Sequence, residues 1–66
     1  MSAERDSAIR RSEAPEFVAL LYDVPEAWIP DMEERAAVLQ YDGGLSRAEA
    51  ERRVAGIVRA KMERAA

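Results

Sequence analysis

Side-chain catalysis needs a nucleophile beside a base, two carboxylates that face one another, or a metal held by suitable donors. This 66-residue sequence has four serines and one lysine, Lys61, but neither His nor Cys. Ser-His-Asp and Cys-His sites are thereby excluded, and so are disulfides and Cys/His zinc sites. A nucleophile would have to be a serine or Lys61, with no recognisable base to activate it. Glu33 and Glu34 are paired carboxylates, but neighbours on a helix diverge by about 100° and do not converge on a substrate. They read as a complement to the helix dipole and a solvated face. Asp42-Gly43-Gly44 invites comparison with a ligand loop. A calcium loop carries acids at alternate positions before its glycine, where this sequence has Gln40 and Tyr41. A phosphate loop needs Gly-Lys-Ser/Thr after a strand, and none is present. The residues therefore predict no enzyme, no cofactor and no metal site, and direct attention to binding.

Elements that could carry a binding surface follow from composition and periodicity. Thirteen alanines and nine arginines, with no Thr or Asn, favour an all-α fold. The expected architecture is a small bundle of about three helices whose C-terminal half is a helix-turn-helix-like hairpin. Residues 1–12 are polar and aperiodic and read as a flexible tail. Residues 13–66 read as one small domain. Phe17, Leu20, Leu21 and Val24 fall at i, i+3, i+4 and i+7, which predicts a short helix over 15–24 with Ser12 as candidate N-cap. A strand over 17–22 is the rival; it lacks alternation and a partner strand. Pro25 and Pro30 bracket a connector in which Trp28 and Ile29 either plug a gap in the core or form an exposed anchor.

The next helix is expected to open at Asp31, with Asp31 and Glu34 spaced as a capping box. Its apolar stripe is Met32, Ala36 and Leu39, while Val38 and Tyr41 lie on another side and imply a second neighbour. Gly43-Gly44 stops this helix. Ser46-Arg47-Ala48-Glu49 is a capping box that starts the last one, with Leu45 placed as a hydrophobic staple. On that last helix Ala50, Val54, Ile57, Val58 and Ala65 share a face. Arg52, Arg59 and Glu63 lie opposite, Glu49 and Arg53 form an i,i+4 pair, and Gly56 falls on the outer face.

Charge is uneven along the chain. Residues 1–45 carry four Arg against ten acids, a net of −6, and residues 46–66 carry six cations against three acids, a net of +3. An acidic body and a basic C-terminal helix suit two kinds of partner. The first is another protein, contacted by Trp28, Glu33, Glu34 and Tyr41. Acidic surfaces occupy basic grooves, so an inhibitor or accessory subunit of a nucleic-acid-processing enzyme or defence complex is the leading expectation. The alternative is DNA, contacted by Arg47, Arg52, Arg53 and Arg59, because Gly44-Leu45-Ser46-Arg47 resembles the entry to a recognition helix. The acidic whole, Gln40 and Arg53 at positions where that motif prefers small and apolar residues, and the admixture of Glu49 and Glu63 count against it. A third reading is a homodimer joined along Ala50, Val54, Ile57 and Val58. No apolar run reaches the ~18 residues of a membrane span. Met1-Ser2-Ala3-Glu4-Arg5-Asp6 has acids where a signal peptide needs basic then apolar residues. A cytoplasmic protein is expected.

The stretch Glu34-Arg35-Ala36-Ala37-Val38-Leu39-Gln40-Tyr41-Asp42-Gly43-Gly44-Leu45-Ser46-Arg47-Ala48-Glu49-Ala50-Glu51 resembles a helical-hairpin segment of bacterial phage- and mobile-element-encoded proteins, some of them replication or primase-like. It covers about a quarter of the chain. The resemblance implies a phage or mobile-element setting. It transfers no catalytic residue.

Overall fold

A computed structural model describes residues 2–65. Met1 and Ala66, the outermost residues of the expected tail and domain, lie outside the described residues. The described chain forms α1 (Ala3–Arg11), α2 (Pro15–Asp23), α3 (Ile29–Tyr41) and α4 (Arg47–Ala65), with a 3-10 turn over Glu26–Trp28. The fold is all-α, with four helices where about three were expected. Residues 17–22 are helical, so the rival strand is ruled out.

The added helix is α1, from the stretch expected as a flexible tail. Ser2 caps it by accepting the Arg5 amide at 3.1 Å. Glu4 and Asp6 sit in its first turn and Arg10 and Arg11 in its last, matching the helix dipole at both ends. Its core contact is small: Ala8 is fully buried and Ile9 packs on the core margin. Ser12, expected to start α2, instead closes α1, its hydroxyl donating to the Ala8 carbonyl at 2.7 Å. Arg11 ties this helix to α3 by donating to both carboxylate oxygens of Glu33, at 2.7 and 2.6 Å. The radius of gyration, 11.1 Å, matches the roughly 11 Å of a compact chain of this length.

Helix α2 supplies the centre of the core through Phe17, Leu20 and Leu21. Burying each such side chain contributes about 1.5–3 kcal/mol. Yet α2 has no local cap: its N-cap is Ala14, without a side chain that can accept, and its last turn has no basic residue. Both ends are capped by residues distant in sequence. At the N-terminus, Glu51 of α4 accepts the Glu13 and Ala14 amides, each at 2.8 Å, through one carboxylate oxygen. Its other oxygen accepts from Arg47 Nε at 3.3 Å. At the C-terminus, the Arg5 guanidinium of α1 donates to the carbonyls of Tyr22 (3.2 Å) and Val24 (2.8 Å). A carboxylate at the positive end and a guanidinium at the negative end both favour the α2 dipole. Glu51 is 2% exposed. Its burial is tolerable because each oxygen has a donor.

Helix α3 opens at Ile29, directly off the 3-10 turn, with Pro30 in its first turn. The expected start at Asp31 is therefore two residues late. Asp31 does not cap; it accepts from Arg35 Nε at 3.0 Å, one turn on. Ile29 and Met32 are buried with Ala36, and Leu39 packs at the edge. The glycine stop is as expected. Gly44 takes φ +69°, a conformation that costs L-residues about 1 kcal/mol or more. A Cβ at Gly43 would lie 2.7 Å from the Leu39 carbonyl oxygen. Ser46 then starts α4 by accepting the Glu49 amide at 3.2 Å, while its hydroxyl donates to the Glu49 carboxylate at 3.1 Å. The box is thus closed through side chains rather than reciprocally through the backbone.

Helix α4 packs on α3 and α2 and buries Ala50, Glu51, Val54, Ala55 and Val58. This arc differs from the expected stripe. Ile57 is 51% exposed and Ala65 is exposed, whereas Glu51 and Ala55 are inside. The buried Glu51 makes a direct prediction. Glu51→Ala strands two amides and should cost roughly 2–3 kcal/mol, a fall in Tm of roughly 10–20 °C for a domain of this size. Glu51→Gln, which keeps an acceptor oxygen, should lose less. Thermal melts followed by circular dichroism check this; an alanine variant that melts with the parent would remove Glu51 from its capping role.

Candidate functional site

The packing of α3 against α4 leaves a groove along their outer margin. Two hollows make it up. One, of about 420 Å³, lies beside Trp28, Met32, Val58, Lys61 and Arg64. The other, of about 410 Å³, lies beside Glu34, Val38, Leu39 and Val54. Asp31, Arg35 and Ile57 border both, so the two adjoin. Its walls expose two large apolar side chains, Val38 at 50% and Ile57 at 51%. Both helices rise in the same antiparallel hairpin, so these residues come from opposite banks. Trp28 closes one end. Its ring is half-buried against the core, and the Lys61 ammonium sits 4.3 Å from the ring centroid, within reach of a cation–π interaction.

The four residues expected to contact protein divide into two pairs, Trp28 with Glu34 and Glu33 with Tyr41, at separate places. Trp28 and Glu34 border the groove. Glu33 faces the other way, held by Arg11 of α1, with its side chain 25% exposed. Tyr41 is 81% exposed, but it is the last residue of α3, about 20 Å along the axis from Trp28 at 1.5 Å per residue. With Glu33 it borders a separate, smaller hollow of about 90 Å³, beside Phe17, Gln40 and Arg47. Val38 and Tyr41, for which a second neighbour was inferred, are both left exposed, Val38 beside Val54 and Ile57 of α4. Trp28 itself combines the two readings given for it: part of the indole plugs the core margin and part lines the groove.

The arginines expected to contact DNA also separate. Arg47 is partly buried and paired with Glu51. Arg52, Arg53 and Arg59 are exposed on α4, on a face they share with the exposed Glu49 and Glu63. Among the described residues, no three carboxylates come close enough to hold a metal ion, and no helix is long and apolar enough to cross a membrane.

Sequence reasoning assigned Val38, Arg35, Lys61 and Arg64 to no binding site, and placed Ile57 only in a homodimer seam. Val38 carried a signal, since it lies off the Met32–Ala36–Leu39 stripe. Ile57 did not, because the helical wheel grouped it with Val54 and Val58. If the groove is surface rather than core, Ile57→Ser should cost about 1 kcal/mol, half the burial value of such a side chain. Met32→Ala should cost about 2–5 kcal/mol. Guanidinium unfolding of the two variants tests the distinction; equal losses would make Ile57 a core residue. Protein-family models, curated proteins and solved structures were all compared with the chain, and none matches it.

Proposed function

We propose that this protein is a non-catalytic protein-binding module whose contact surface is the groove between α3 and α4. The observation that carries the reading is the half-exposure of Val38 and Ile57 on facing banks of one groove. The chain otherwise buries Phe17, Leu21, Ile29, Met32, Val24 and Val54 almost completely. Leaving two aliphatic side chains unburied in so small a core is a cost that a binding partner offsets. A half-buried aromatic at the end of the groove adds the kind of anchor that dominates interface energies. The resemblance of residues 34–51 to phage and mobile-element segments supports a phage or mobile-element setting for that binding.

DNA binding through α4 draws less support. Arg47, at the entry of the helix, is committed to Glu51 at 3.3 Å. The exposed arginines stand among acids, and the chain is −3 overall, which weakens long-range attraction to phosphate.

The test is a photo-crosslinking amino acid placed at position 38, in the groove, and at position 10, an exposed site on α1, in cells that make the protein. The expected result is one discrete protein adduct from position 38 and none of that mass from position 10. The reading fails if position 38 gives no adduct, or if both positions give the same set.

A further inference from the structure

The groove has a polarity that its apolar banks do not explain, and we propose that its occupant is an amphipathic helix of a partner protein whose apolar stripe is flanked by Asp and Glu. This rests on the reading of the groove as the binding site. Charge is the first argument. The chain carries a net charge of −3, yet the Trp28 end of the groove sets Arg35, Lys61 and Arg64 against a single acid, Asp31. Asp31 is already engaged by Arg35 at 3.0 Å. Among the described residues neither Lys61 nor Arg64 has a carboxylate partner. Lys61 is held over the Trp28 face, which positions the ammonium while leaving its N–H groups able to donate to an incoming carboxylate.

Length and spacing are the second argument. Trp28 to Val38 is ten residues along the helical bank, about 15 Å at 1.5 Å per residue. Two to three turns of a partner helix would span it. An apolar residue near Val38 and Ile57, and others continuing at i+4, i+7 and i+11 to reach Trp28 two to three turns on, extend the i, i+4, i+7 pattern of helix-in-groove recognition. Acids flanking the Trp28-proximal anchor would then face Lys61 and Arg64. A basic helix would meet the same cations as like charges, which costs affinity.

A displayed library of random helical peptides of about 15 residues, long enough to fill the groove, selected against the intact protein, tests this. The expected pool is enriched in apolar residues at i, i+4 and i+7 with Asp and Glu beside them. Binding of the best peptide should fall about tenfold or more on Ile57→Ser, and by a similar factor on the exposed double change Lys61→Glu with Arg64→Glu. Helicity of both variants is checked by circular dichroism. An apolar pool that depends on Ile57 but shows no acidic bias, or is indifferent to the charge reversal, overturns the acidic partner and leaves the groove reading in place. A pool that does not enrich, or that ignores Ile57, overturns both. Sedimentation showing a dimer that Ile57→Ser dissociates assigns the groove to a second copy of the chain and also overturns the proposal.

Discussion

The carboxylate of Glu51 is the constraint on which this small bundle turns. Helix α2 brings the largest apolar side chains to the centre, but its N-terminus is Ala14 followed by Pro15, and neither can satisfy an orphan amide through its side chain. Glu51 of α4 accepts the two amides that lead into the helix, those of Glu13 and Ala14. In doing so it joins the α1–α2 corner to α4, elements that are distant in sequence. Arg5 closes the opposite end of the same helix from α1. The most apolar helix is therefore held at both ends by charges that other helices supply, and each charge lies where the α2 dipole favours it. A chain with no disulfide needs such long-range ties, because its core is small.

That constraint also shapes the surface. With about 100° between successive residues, Glu51 and Ile57 lie some 120° apart around α4. Turning Glu51 inward to cap α2 rotates Ile57 to the rim of the helix. There it faces Val38 across the groove, and Val38 lies off the buried stripe of α3. The groove is thus a geometric consequence of where the buried carboxylate points. The apolar exposure and the capping of α2 are two results of one orientation of α4.

The uneven charge of the chain is partly consumed in the fold. Arg11 pairs with Glu33, Arg47 with Glu51 and Arg35 with Asp31. The exposed pairs among them each contribute little, about 0–1 kcal/mol, but they change which charges remain for a partner. Glu33 and Arg47, which seemed available from the sequence, are engaged within the molecule. Lys61 and Arg64, which the sequence placed on no binding surface, stand at the mouth of a groove.

What the sequence by itself determined was local. The apolar spacing of Phe17, Leu20 and Leu21, the stop at Gly43-Gly44 and the start at Ser46 act through neighbours within a turn or two, so helix type and the α3–α4 hairpin were legible. Helix α1 was legible in part, through Ser2 and the acid-to-base order of its charges; the missing apolar period hid it, because its core contact is only Ala8 and the edge of Ile9. Tertiary structure alone decided which charged side chain goes inside, where Ser12 caps, and which apolar residues stay out. The physical reason is that a buried carboxylate is stable only where donors converge on it, and two of the three donors for Glu51 are 37 and 38 residues away. Periodicity ranks residues by polarity and therefore grouped Ile57 with Val54 and Val58 and gave Glu51 no place on that face. The packed molecule leaves Ile57 half-exposed and buries Glu51.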